Sequence, residues 1–234
     1  MVDSRFKKTL VAVGGAALLT ASALPAVAQE EGPLLYVINK SADQQYFIDL
    51  QNSFVAATEE LGGSALKADA KLDPSLGVSL VNDAISAGAK HVTHLFNAMR
   101  GLHHRDPGVV GAALASEAVS LELIADGRHL HPGTLRLVIG DLAARGQLDR
   151  LCLVTDAMRA AGAPDGRYTL GDESVNVSDG AARLADGSFA GSLLTLDRAL
   201  QIAMGASDQP LEEAVQWVTA HPARVLGLGD RLGA

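Results

Sequence analysis

Three stretches of this chain end an apolar run on a side chain able to do chemistry. "HVTHLFNAM" (91–99) carries His94, "LELIADGRH" (121–129) carries Asp126 and His129, and "LCLVTDAM" (151–158) carries Asp156. Cys152 is the sole cysteine, so there is no internal disulfide and no thiolate zinc cluster. A divalent ion here would need imidazole and carboxylate ligands. Such an ion lowers the pKa of its bound water towards about 7 and polarises a carbonyl. A carboxylate outside the metal shell can then carry the water's proton to a leaving group. The residue types thus suit metal-assisted hydrolysis. Plainer readings stand beside it. Asp156 could cap the following turn, His94 could be a satisfied core histidine, and His129 and His131 could cap local backbone.

For these groups to meet, their strands must run side by side. "GPLLYVIN" (32–39) reads as a short buried strand. "SADQQYFIDLQNSFVAATEELGG" (41–63) reads as an amphipathic helix, with Tyr46, Phe47, Leu50, Phe54, Val55, Ala57 and Leu61 near one face and Gly62–Gly63 ending it. "SALKADA" is a second strand. "DPSLGVSLVNDAISAGAK" is a second helix, with Asp73 or Ser75 near its start and Gly88 near its end. This βαβα order opens a parallel sheet. Further along, "VVGAALASEA" is a short helix and "VSLELIADGRHL" a strand and loop. "PGTLRLVIGDLAARG" is a helix with Pro132 near its first turn and Gly146 past its end. "GRYTLGDESVNVSDGAARLADGSFAG" alternates around "GD", "SDG" and "ADG" turns, which predicts antiparallel hairpins. Two amphipathic helices close the chain. The class is α/β. In a β/α barrel the C-terminal strand ends open on one face, so three such ends would deliver His94, His129 and Asp156 to one cup.

Composition narrows the partners. The 234 residues are 48% hydrophobic and 20% charged, with a net charge of −8. That fits a globular chain and argues against nucleic acid and anionic membrane surfaces. Residues 1–28 read as a cleavable export signal: the basic "MVDSRFKK", the apolar "TLVAVGGAALLTASALP" and the small-x-small "AVA". The expected location is exported or periplasmic, with no membrane span after cleavage.

From roughly Ala84 onward the chain resembles the C-terminal half of N-acetylglucosamine-6-phosphate deacetylase, of the amidohydrolase superfamily. The matching stretches are "HVTHLFNAM", "RDPGVVGAAL", "ELIADGRHLHP", "LCLVTDAMRAAG", "DGSFAGSLLTLDRAL" and "HPARVLGL", in the family's order and at about its spacing. The resemblance implies a truncated (β/α) barrel over residues 86–234. It implies metal-dependent hydrolysis of an acetamide on a phosphorylated amino sugar, releasing acetate and glucosamine 6-phosphate. His94 would be a metal ligand, with zinc the expected ion. Asn97 and Ala98 would contact the sugar phosphate, and Arg105 would pair with it through a guanidinium fork. His129 would polarise the acetamide carbonyl, and Asp156 would be the general acid/base. Phe189, Ala190 and Gly191 would line the substrate pocket. His91, His103 and His104 match no family role, and His221 reads as a helix-end residue before a proline.

The family also draws metal ligands from an earlier histidine and an early glutamate. This chain has no histidine before His91, and Glu30, Glu31, Glu59 and Glu60 follow no matching strand. One imidazole cannot hold zinc tightly, since catalytic sites generally need about three protein ligands. The activity is therefore expected to be impaired. Residues 29–85 instead resemble the first, Rossmann-like βαβα of a ribose-type periplasmic sugar-binding protein, which implies Ser41, Tyr46 and Phe47 as sugar contacts. The chain reads as a fusion with its seam between Asp73 and Lys90. Unpaired strand edges in such a fusion could drive homo-oligomerisation. The rival readings are an exported sugar-binding remnant without catalysis, and a non-functional fusion product. The deacetylase family itself is cytoplasmic, so the two resemblances imply different compartments.

Overall fold

The structure is a computed structural model that describes residues 34–39, 45–71 and 73–232. The export signal and Ser41 lie outside these residues. The described residues divide into two compact units. One runs to Lys90 and includes Ala98–Ser116; the other combines His91–Asn97 with the chain from Glu117 onward.

The first unit opens with β1 (Leu34–Asn39), α1 (Gln45–Glu60), β2 (Ser64–Asp69) and α2 (Pro74–Ser86). β1 and β2 pair in parallel, from Leu34 opposite Ser64 to Asn39 opposite Asp69, as the βαβα reading expects. α1 stops where the paired glycines predict. Gly62 takes φ +78°, and the Gly63 N–H returns to the Thr58 carbonyl at 2.9 Å. Its buried stripe differs from the one predicted. Leu50 and Leu61 are 45% and 84% exposed, while Gln51 and Thr58 are buried. Gln51 Nε2 donates to the Ala68 carbonyl at 2.8 Å, and Thr58 Oγ1 donates to the Phe54 carbonyl at 2.7 Å. Gln51 thus meets β2, and Thr58 lies two turns further along the same helix face. Asp73 caps α2, its Oδ1 accepting from the Ser75 and Leu76 amides at 2.9 and 3.2 Å. α3 (Gly108–Ala115) packs on α2, where Gly77 leaves room for Val109.

The second unit is built on three parallel strands in the order β3-β4-β5: β3 (His91–Val92), β4 (Ser120–Leu123) and β5 (Leu151–Leu153). α4 (Pro132–Ala144) follows β4. Its cap is the His131 imidazole, Nδ1 accepting from the Gly133 amide at 3.0 Å. Leu135, Val138, Ile139 and Leu142 form the stripe it buries. They join Leu121, Leu123, Ile124 and Leu151 in the core, each worth about 1.5–3 kcal/mol over exposure. Gly146 at φ +66° ends the helix. Strands β6 (Gly166–Leu170), β7 (Glu173–Ser178) and β8 (Ala181–Arg183) form the predicted antiparallel sheet. It has its own core of Met158, Ala160, Val175, Val177, Ala182 and Ala190. α5 (Leu196–Gly205), α6 (Leu211–Ala214), a 3-10 turn (Val215–Val218) and α7 (Ala220–Val225) complete the unit, with Trp217 fully buried. The expected partial barrel goes further than this parallel sheet of three strands.

His221 is the helix-end residue expected before Pro222, and it is also a core group. It lies in α7, is 2% exposed, and its Nδ1–H donates to the Leu151 carbonyl at 2.8 Å. Burial lowers its pKa below the ordinary 6.5, an effect that this hydrogen bond opposes only in part. The unfolded chain therefore binds this proton more readily than the folded one. Stability should be lost as pH falls below about 6.5. Urea midpoints between pH 7.5 and 5.5 check this: His221→Gln, which cannot titrate, should lose less across the interval than the parent chain. Cys152 is likewise core, its thiol pushed up to about 12 chiefly by burial, so it stays protonated and unreactive.

Candidate active site

Parallel strands end on the same edge, so β3, β4 and β5 send their following loops to one side of the sheet. His94 follows β3, Asp126 and His129 follow β4, and Asp156 follows β5. The three stretches singled out in the sequence therefore sit on neighbouring strands.

The loops hold unusual backbone. Of the six described non-glycine residues at positive φ, four lie here: His94 (φ +31°), Phe96 (+76°), Ala98 (+52°) and Asp156 (+46°). Such conformations cost about 1–3 kcal/mol each and persist only where the surroundings impose them.

Glu122 imposes the first. This mid-strand carboxylate accepts from Thr93 Oγ1 at 2.6 Å and from the His94 amide at 3.4 Å. Its other oxygen lies 2.8 Å from His91 Nε2, off the line of a good hydrogen bond. His91 Nδ1 in turn meets Ser120 Oγ at 2.8 Å. Burial raises the Glu122 pKa, but His91, Thr93 and the His94 amide outweigh it, so the group titrates below the ordinary carboxylate range. In the sequence Glu122 is a charged residue within a strand, a pattern that ordinarily marks a solvent-facing side chain, and only the folded backbone brings Thr93, His94 and His91 to it. Glu122→Ala should cost about 1–3 kcal/mol, with faster amide hydrogen exchange confined to residues 91–97 as the check. Asn97 closes the same loop: its N–H donates to the His94 carbonyl at 2.9 Å and its Nδ2 to the Leu95 carbonyl at 3.3 Å.

Asp126 governs the second loop. Its Oδ1 accepts from the Arg128 and His129 amides at 2.8 and 2.7 Å, and its Oδ2 holds His129 Nδ1 at 2.6 Å. Burial raises the Asp126 pKa; the His129 and backbone hydrogen bonds more than reverse this, and the group stays ionised. The dyad fixes the His129 ring and leaves Nε2 for another partner. Phe189 stacks on that ring, centroids 4.5 Å apart, and Arg183 lies 4.3 Å over the Phe189 face.

Asp156 is exposed at the end of β5. Ala190 and Gly191 run beside its loop: the Ser192 amide donates to the Asp156 carbonyl at 2.8 Å, and the Met158 amide to the Ser192 carbonyl at 2.9 Å. His129, Asp156, Phe189, Ala190 and Gly191 belong to one unit together with His94 and Asn97. Ala98 and Arg105 belong to the other, where Arg105 is exposed and its amide donates to His103 Nδ1 at 3.4 Å.

His94 Nδ1 is buried without a partner, as a ligand nitrogen awaiting a metal ion would be. Among the described residues, however, no group of three His, Cys, Asp or Glu side chains comes together to hold one. The described donors do not fit a catalytic metal, which needs about three protein ligands.

The sequence profile of the amidohydrolase family matches residues 55–234. The chain belongs to the amidohydrolase family. Within it, this amidohydrolase is 45% identical over 154 residues to N-acetylglucosamine-6-phosphate deacetylase of Vibrio furnissii, covering 66% of this chain and 37% of that protein. It is 45% identical over 151 residues to N-acetylgalactosamine-6-phosphate deacetylase of Escherichia coli O157:H7, covering 64% and 39%. The solved N-acetylglucosamine-6-phosphate deacetylase of Thermotoga maritima superimposes with a TM-score of 0.67 at 29% identity, covering 86% of this chain and 51% of that one. The chain thus spans well under half the length of these curated relatives. Among the described residues no helix is long and apolar enough to cross a membrane.

Proposed function

We propose that this chain is a deacetylase-type amide hydrolase for an N-acetylhexosamine 6-phosphate, impaired by an incomplete set of metal ligands. The observation that carries the reading is the delivery of His94, His129 and Asp156 to one edge of the sheet by neighbouring strands. Relatives at 45% identity carry that activity in their names, for the gluco and the galacto sugar alike.

The roles are those that the family resemblance implies. Asp126 keeps the His129 ring in place, so that Nε2 meets the acetamide oxygen. Phe189 covers the ring's face and excludes water from that side. Asp156 takes the proton of the attacking water and returns it to the leaving amine. The resemblance assigns phosphate contacts to Arg105, whose guanidinium suits a bidentate pairing, and to Asn97 and Ala98. A divalent ion bound near His94 would supply Lewis acidity in an intact relative.

The test is acetate release from N-acetylglucosamine 6-phosphate and its galacto epimer by the purified chain. Release from a 6-phosphate, with none from the unphosphorylated sugar, is the expected result; no release from either epimer overturns the reading. The missing metal donors favour one other reading, a sugar-binding protein without catalysis, exported by residues 1–28 and touching sugar through its Rossmann-like opening segment. Sugar affinity unchanged by EDTA and by Asp156→Asn, with no acetate formed, would support it.

A further inference from the structure

Ser192 is nearly inaccessible, at 2% exposure, yet nothing in the reaction described above uses it. Three of its four polar contacts fall on the strand-end loop of Asp156. Its hydroxyl donates to the Thr155 carbonyl and accepts from the Leu194 amide at 3.0 Å. Its amide donates to the Asp156 carbonyl at 2.8 Å, and its carbonyl accepts from the Met158 amide at 2.9 Å. Ala157 and Ser192 are register partners in a parallel bridge.

The peptide carbonyls on both sides of Asp156 are therefore held by one residue. Between them Asp156 sits at φ +46°, a conformation that an L-residue keeps only under constraint. Rotating Asp156 back to an ordinary φ would swing at least one of those carbonyls off Ser192. We propose that Ser192 is a positioning residue for Asp156: its hydroxyl locks the left-handed backbone that aims the carboxylate. The hydroxyl must both donate and accept here, which Ser and Thr can do, Ala cannot, and Cys does weakly. The inference rests on Asp156 as the proton carrier, but the geometry it invokes can be observed without turnover.

The experiment uses backbone 13C and 15N chemical shifts of Asp156 in the full chain, with acetate release measured alongside. Ser192→Ala and Ser192→Cys should lose the left-handed shift signature at Asp156, and Ser192→Thr should keep it. Among variants that turn over, kcat should fall about 100-fold in Ser192→Ala with KM unchanged, and Ser192→Thr should recover most of it. A folded Ala or Cys variant with parental Asp156 shifts overturns the proposal. Should the parent chain release no acetate, the deacetylase reading fails, while the shifts still decide whether Ser192 holds Asp156.

Discussion

Asp156→Asn should lower acetate release from the 6-phosphate sugar by about 10²- to 10⁴-fold, the range that a positioned proton carrier contributes. The substitution keeps the shape of the side chain and removes its basicity. Asparagine tolerates positive φ better than most residues, so the φ +46° backbone survives. The side chain is exposed and forms no part of the core. Stability should therefore stay within about 0.5 kcal/mol of the parent. Rate lost with the urea midpoint intact identifies chemistry at Asp156. Parallel loss of both would make it a loop residue.

Gly191→Ala should be strongly destabilising. Gly191 sits at φ +74°, and a Cβ there would meet the Asp156 carbonyl oxygen at 3.0 Å and Met158 Cβ at 3.3 Å. A left-handed alanine costs about 1–2 kcal/mol. The close contact adds about 1–3 kcal/mol, because the oxygen belongs to the backbone and cannot turn aside. The sum, about 2–5 kcal/mol, is large against a total stability of about 5–15 kcal/mol. Urea denaturation should show it directly. Relief by retreat of the 155–158 loop would also displace Asp156, so residual folded protein should turn over more slowly. Gly187→Ala is the control: it too has positive φ, but its Cβ meets nothing within 4 Å, so it should show the backbone cost alone.

Much of this was readable beforehand, for physical reasons that differ by element. The α4 stripe of Leu135, Val138, Ile139 and Leu142 follows helical period, with Pro132 and Gly146 as its bounds. The β6–β8 hairpins announced themselves through "GD" and "SDG" turns. The strand ends were legible because apolar runs stop there on His94, Asp126 and Asp156. The stripe of α1 was not legible. Period alone selects the most apolar face, whereas Gln51 and Thr58 are buried because hydrogen bonds to Ala68 and Phe54 satisfy them. Glu122 and Ser192 escaped for a related reason. Each acts through carbonyls, amides or imidazoles that only the folded backbone brings within reach. His221 is legible as a helix end because Pro222 follows it and proline is welcome in a first helical turn, but its burial against the Leu151 carbonyl depends on the fold.

His94, Asp126, His129 and Asp156 follow strands that end on one sheet edge, while among the described residues no three donor side chains come together to grip a metal. The purified chain should therefore retain far less than one equivalent of zinc after exhaustive dialysis. One full equivalent retained, and lost in His94→Ala, would show that the metal site is intact.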